Sequence, residues 1–265
     1  MISRLEEYEK MFRLEGQLWW YRILHERVEE SIRQRFGNRR DIAILDAGCG
    51  TGGMLDCLHR RGYTNLRGID GSAEAVAFCH ERHLSVTCVN LNDLATFEPE
   101  VRYDVIICND VFCYFNEADL PPLITSLAHR LKPDGILISN NNAFNVFQGQ
   151  HDIAVGVIRR FMLADFDQLM PAAGLYIAYA TYWSFALSPM ILGMRQWQRL
   201  QLRVGWRKPE EAQSDVYMPS TWLNEILYRI VKSEQKLLRR TPFGSSLFMV
   251  VDGHSQALRS IGDRG

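Results

Sequence analysis

The apolar run Ile42-Ala43-Ile44-Leu45-Asp46-Ala47 passes directly into Gly48-Cys49-Gly50-Thr51-Gly52-Gly53. A short apolar segment that ends in alternating glycines admits few folds. It reads as a buried strand, a tight turn and a helix whose N-terminus faces a ligand. Glycine lets the backbone approach a ligand where a Cβ would clash. The first N–H groups of the following helix have no intrahelical partner and carry the positive end of its dipole. The spacing is Gly-x-Gly-x-Gly after an acidic residue. It lacks the Lys-Ser/Thr pair of a P-loop.

The rest of the chain repeats this alternation. Strands are expected at 65–70, 84–89, 103–108 and 136–140, separated by helices at 52–61, from Ser72 onward, and at 118–131. Lys132-Pro133-Asp134-Gly135 reads as a turn between the last helix and its strand. Alternation of this kind predicts a mostly parallel sheet with helices on both faces. Ahead of it, residues 3–37 read as one helix, with Trp20, Leu24, Val28, Ile32 and Phe36 on one stripe and Gly37-Asn38 as the stop. After it come a loop at 140–152, a helix at 163–173, a strand at 175–183 and a helix opened by Ser188-Pro189. A polar loop at 205–219, a helix at 221–239 and a strand at 245–251 complete the chain. In the helix after Pro189, Ile191, Met194, Trp197, Leu200 and Val204 form an apolar stripe, and Arg195, Arg199 and Arg203 form another face.

Lys and Arg total 30 against 31 for Asp and Glu, a net charge of -1. This balance argues against a nucleic-acid binder acting through its whole surface. The six cysteines have no metal-site spacing and read as buried thiols of a reduced, cytoplasmic protein. The charged N-terminus is unlike a signal peptide. The uncharged stretch between Asp167 and Arg195 is long enough for a membrane span, but Gly174, Pro189 and three tyrosines favour a buried strand and a helix start.

The run Asp46-x-Gly48-x-Gly50-x-Gly52 resembles the first motif of class I S-adenosylmethionine-dependent methyltransferases, and the likeness extends over about 42–140. The resemblance implies a seven-stranded Rossmann-like α/β sheet in the order 3-2-1-4-5-7-6, with the last strand antiparallel and helical lid additions. It implies S-adenosyl-L-methionine as cofactor and S-adenosyl-L-homocysteine as product. Asp46, Gly48, Cys49, Gly50, Gly52 and Gly71 would frame the cofactor. Asp70 matches the acidic residue that holds both ribose hydroxyls, as a carboxylate can. Asn90 and Leu91 fall where the family contacts adenine, with Asp93 as a neighbouring alternative. Asn109 lies at the end of the fourth strand. Tyr114 stands where many members have a histidine, and LKPDGILIS matches the lead into the fifth strand.

Trp19-Trp20-Tyr21, GQHDIAVGVIRRF at 149–161 and TPFGSSLFMVV at 241–251 together resemble a bacterial subgroup of this family with no assigned substrate. On that reading His151 is the general base, with Asp152 orienting it and Tyr114 beside it. The alternative for His151-Asp152 is a helix cap or a pair with Arg159 or Arg160. Trp19, Trp20, Tyr21, Asp110 and Arg159 are candidate acceptor contacts, set against plain packing for the aromatics and turn capping for Asp110. Methyl transfer needs alignment and a dry pocket more than an elaborate apparatus, and no metal is required.

The expectation is one methyltransferase domain, 1–265. Residues 1–37 form a helical lid, 42–183 and 241–252 the Rossmann-like core, and 184–240 a helical acceptor cap. The leading function is methylation of a small-molecule or glycan acceptor, at oxygen if His151 serves as base. A peripheral membrane enzyme acting on a lipid-linked substrate at the inner face of the membrane is the second reading, motivated by the basic amphipathic helix at 189–204. Its counterpart is a helix covering the active site with a solvated Arg face. A nucleotide-dependent oxidoreductase is the third. The sequence leaves the acceptor and the oligomeric state open.

Overall fold

The computed structural model describes residues 5–206, 214 and 216–253. The expected helix start at residue 3, most of the loop at 205–219 and the end of the chain lie outside the described residues. Within them, the seven strands are β1 (Ile44–Ala47), β2 (Leu66–Asp70), β3 (Val86–Cys88), β4 (Tyr103–Asn109), β5 (Leu131–Asn142), β6 (Leu175–Trp183) and β7 (Ser246–Gly253). They form one sheet ordered β3-β2-β1-β4-β5-β7-β6. Strands β1 to β5 pair in parallel, while β7 runs antiparallel to both β5 and β6. The order and the antiparallel last strand are those expected.

Both faces of the sheet are covered. Leu45, Ile106 and Leu137 point into one apolar layer; Ile44, Val105, Ile107 and Ile138 point into the other. Successive residues thus fill opposite cores, which is why these strands are apolar throughout rather than alternating. The helices are α1 (Leu5–Leu14), α2 (Trp19–Phe36), α3 (Gly53–Arg60), α4 (Ala73–Glu81), α5 (Leu120–His129), α6 (Gln150–Val155), α7 (Leu163–Ala172), α8 (Ser188–Arg203) and α9 (Thr221–Leu237). Ser72 caps α4, accepting from the Ala75 N–H as expected.

Several expectations need correction. The single N-terminal helix is two, because the break at 15–18 is held from outside. Asn224 of α9 accepts from the Trp19 N–H (2.9 Å) and donates to the Gln17 carbonyl (3.0 Å), satisfying the broken backbone. The loop at 140–152 contains a 3-10 turn, Asn145–Phe147, and the start of α6. Lys132–Gly135 bulges out of β5 rather than preceding it, between the Tyr103↔Leu131 and Val105↔Ile136 pairs. Ser188 is inside α8 rather than its cap, and its hydroxyl donates back to the Ser184 carbonyl (2.9 Å). Cys88 is exposed, against the expectation of buried thiols. Among the described residues, no helix is long and apolar enough to cross a membrane. Residues 167–195 are instead divided among α7, β6 and α8.

Candidate active site

A cavity of about 720 Å³ opens at the carboxyl ends of β1, β2 and β4, where ligands bind in sheets of this kind. The glycine loop forms part of its wall. Gly48 (φ 81°), Gly50 (φ 54°) and Gly52 (φ 84°) all lie in the left-handed region. Gly48 and Gly50 border the cavity, but Gly52 does not. A Cβ on Gly52 would overlap Leu84, so that glycine lets the loop pack closely against α4 and the turn after it.

Asp70 ends β2 and faces the cavity beside the loop. Its two carboxylate oxygens accept from the Gly50 N–H and the Ser72 N–H, each at 2.9 Å. These bonds fix the carboxylate plane while each oxygen keeps acceptor capacity for a diol. Burial raises the Asp70 pKa, against the pull of those N–H groups. Asp46, beneath the loop, is pushed up to about 8 by burial and then by Asp70 and Glu15.

Gly71, Cys49, Asn90 and Leu91 also line the cavity. Asn90 accepts from the Asn92 N–H (3.0 Å), which turns its side chain at the strand end; Asp93 is not among the lining residues.

At the other side of the opening, Asn109 accepts from the Asn140 N–H (3.0 Å). Asp110 follows in the left-handed region (φ 55°), a strained conformation for a side-chain-bearing residue. Its carboxylate receives both contacts from the Asn140 amide nitrogen (3.1 and 3.0 Å). Asn140 in turn accepts from the Trp183 indole (2.9 Å). Trp20 stacks on Trp183 with centroids 5.4 Å apart, and Tyr21 packs edge-on to Trp20. The aromatics at 19–21 therefore both line the cavity and pack onto the sheet. Burial lifts Asp110 to about 7, against the Asn140 bond and the Arg160 charge. The Tyr114 phenol, also in the wall, is raised well above its ordinary range by burial, then by Cys113 and Asp110. It stays a hydroxyl near neutral pH and so acts as a donor.

The His-Asp pair separates. His151 lines the cavity. Asp152 does not: it is buried, receives Arg160 through Nε (2.8 Å) and Nη2 (3.1 Å), and accepts from the Gly149 N–H (2.8 Å). It both caps α6 and pairs with Arg160, as the alternative reading had it. Arg159 sits outside the cavity over the Phe161 ring (4.7 Å), and Arg160 takes the lining position.

Residues with no motif complete the wall. Tyr8 of α1 is buried near Asp70, and its phenol is pushed up to about 12 by burial. Glu15 accepts from the Thr51 hydroxyl (2.5 Å) and pairs with Arg82 (2.7 Å), tying the end of α1 to the glycine loop and α4. His25 is pushed down to about 3 by burial and then by Arg61, Arg60 and Arg82, so it is neutral. No run of ligand spacing marks these residues in the sequence. Among the described residues, no group of His, Cys, Asp or Glu is arranged to hold a metal.

Residues 44–135 match a family model described as a methyltransferase domain. The "Ubiquinone biosynthesis O-methyltransferase" of Rickettsia bellii (strain OSU 85-389) is 28% identical over 152 residues, 51% of this chain and 60% of that protein. The "Malonyl-[acyl-carrier protein] O-methyltransferase" of Bacillus anthracis is 30% identical over 123 residues, 46% of this chain and 45% of that protein. The chain thus spans about half the length of these curated relatives. A SAM-dependent methyltransferase from Archaeoglobus fulgidus has the same fold, with TM-score 0.55 and 14% identity over 87% of this chain and 93% of that one.

Proposed function

We propose that this protein transfers a methyl group from S-adenosylmethionine to a hydroxyl of a small, largely apolar acceptor. The observation that carries the reading is Asp70, held by two backbone N–H groups at the lip of the glycine loop and facing a cavity of about 720 Å³. That volume suits a nucleoside cofactor with a small acceptor beside it. The residues present fit the cofactor. Asp70 would hold the ribose hydroxyls, Gly48 and Gly50 would lie against the amino-acid part, and Asn90 and Leu91 would meet the adenine. When bound, the cofactor supplies an electrophilic methyl group on a sulfonium.

The chain's own residues supply the rest. Phe115, Phe147, Met190 and Leu223 give the acceptor side an apolar wall that excludes water. Asp110, His151 and Tyr114 are the polar groups facing it. A hydroxyl acceptor seated there would have to give its proton to one of these groups. His151 is one candidate. Asp110 is the stronger, because burial poises it near neutrality and Asn140 fixes its carboxylate in one plane. The described residues of 1–37 serve as the lid over the cofactor and those of 184–240 as the acceptor cap, within one domain. The names of the relatives as O-methyltransferases support transfer to oxygen. The match to a methyltransferase-domain family weighs against the oxidoreductase reading.

The test is S-adenosylhomocysteine formation with a panel of apolar phenols, aliphatic alcohols, carboxylates and amines. Turnover confined to hydroxyl acceptors, lost in Asp110→Asn and reduced less in His151→Gln, is the expected result. Turnover only on amines, unaffected by Asp110→Asn, would overturn the oxygen-transfer reading.

A further inference from the structure

Helix α8 is inside out. An amphipathic helix on a globular protein ordinarily turns its apolar stripe to the core and its arginines to water. Here Arg195 is 6% exposed, while Trp197 on the other face is 53% exposed. Met190, Met194, Leu200 and Val204 also face outward. The inward arginines are engaged: Arg195 donates to Gln198 (2.9 Å), and Arg199 donates to the Gln148 (3.1 Å), Asn145 (2.8 Å) and Val146 (3.2 Å) carbonyls. The carbonyls of the 145–148 turn thus hold Arg199 and Gln198 holds Arg195, and Met190, Met194, Trp197, Leu200 and Val204 are left on the outside. Of the arginine face, Arg195 is buried and Arg199 half-buried, and only Arg203 is solvated.

Helix α9 repeats the pattern on the other side of the opening. Trp222, Ile226 and Ile230, four residues apart, are all exposed, and Trp222 is 67% exposed. The two helices meet at the cavity, with Met190 and Met194 of α8 and Leu223 and Leu227 of α9 in its wall. The outward faces carry cations but no unengaged acid among the described residues. From Ser184 to Trp206 the sequence has no Asp or Glu. On α9, Glu225 is shared by Arg22 and Arg229, and Glu234 is buried against the Ala186 N–H. Arg203, Lys236, Arg239 and Arg240 are exposed at the helix ends and beyond.

We propose that the outer faces of α8 and α9 form a docking surface for an anionic lipid bilayer, placing the cavity mouth against the membrane. The occupant follows from the chemistry. Exposed tryptophans favour the headgroup boundary, aliphatic side chains enter the acyl layer, and a rim whose described residues carry cations and no unengaged acid is attracted to anionic headgroups. Met190 and Met194 belong to both the docking face and the cavity wall, so an apolar acceptor would pass between bilayer and cavity without crossing water. Only that last step rests on the proposed methyl transfer; docking stands without it.

The test is flotation of the full chain with vesicles of phosphatidylcholine, with and without phosphatidylglycerol. Hydrogen exchange across 188–206 and 217–237 is followed in the presence of each vesicle. Expected are flotation with the anionic vesicles only and slowed exchange in α8 and α9. A loss of at least tenfold in vesicle affinity is expected in Trp197→Ser/Trp222→Ser, with cofactor binding by calorimetry intact. That titration also shows separately whether the methyltransferase reading stands. No flotation with either vesicle would overturn the proposal, as would flotation that the double substitution leaves unchanged. So would a dimer in light scattering that the same substitutions dissociate and that binds no vesicles, since the face would then join two copies of this chain.

Discussion

The cofactor side, residues 44–110, and the acceptor side, residues 144–237, are built by different means. On the cofactor side Asp70 and Asn90 sit at strand ends and are held within the adjoining strand–turn–helix units. Asp70 is fixed by Gly50 and Ser72, and Asn90 by Asn92. On the acceptor side the holding contacts come from far along the chain. Arg199 binds the 145–148 turn, and Asn224 supports the break before Trp19. Local contacts let a short motif specify a site wherever the strand–turn–helix forms. Distant contacts let the acceptor side vary while the sheet stays fixed. The comparison predicts that substitutions on the two sides separate cofactor binding from turnover.

The largest expected effect lies at the seam. Asp110→Asn should lower kcat by about 10²–10⁴-fold, the usual contribution of a positioned base, with affinity for S-adenosylhomocysteine unchanged in calorimetry. A base must be deprotonated to act, so wild-type kcat should rise with pH through about 7. That limb should vanish in the variant. A matching loss of cofactor affinity would erase the distinction between the two sides.

Next is Arg160→Met. It leaves the Asp152 charge buried without its partner, which costs about 3–5 kcal/mol, read as a fall in chemical-denaturation midpoint. Arg160→Met/Asp152→Asn should recover part of that loss. Additive losses would show that the pair does not act as a unit.

Gly48→Ala comes third. The new methyl would overlap Val111 at a φ of 81°. A destabilisation of about 1–3 kcal/mol is expected, together with weaker cofactor binding. A silent substitution would mean the loop tolerates movement that the account denies it.

The smallest effect is on pH and stability. Asp46, at about 8, and Asp110, at about 7, are raised in the folded chain above the ordinary carboxylate value. The folded state therefore keeps protons that the unfolded chain releases, and stability falls as pH rises through this window. Between pH 6.5 and 8.5 the fall should be on the order of 1–2 kcal/mol, or a few degrees in Tm. His25, lowered to about 3, acts oppositely: its contribution is present above the unfolded histidine pKa and is lost as pH falls through the acid range. Thermal melts of Asp46→Asn should show a flatter dependence than wild type.

The same division explains what could be read in the sequence. The alternation of strands and helices and the strand-end positions of Asp46, Asp70, Asn90 and Asn109 follow from local pattern, and the sheet order from the resemblance that pattern bears to class I methyltransferases. The break at 15–18 was hidden because Gly16 is its only local signal and Asn224 supplies the rest from α9. The short helix α6 was hidden because its cap is the Asp152 carboxylate, itself fixed by Arg160. The pattern of α8 showed two faces but not which one turns inward, since that depends on carbonyls at 145–148 fifty residues away. Tyr8 and Glu15 reach the cavity only because α1 folds back over the glycine loop, which no spacing within α1 announces.

The most direct test of the central claim is calorimetric titration of S-adenosylmethionine and S-adenosylhomocysteine into wild type and Asp70→Ala. The account predicts binding of both ligands to wild type, weakened at least tenfold in the variant, a loss of about 1.4 kcal/mol or more. Absence of binding to wild type, or equal binding to both proteins, would contradict it.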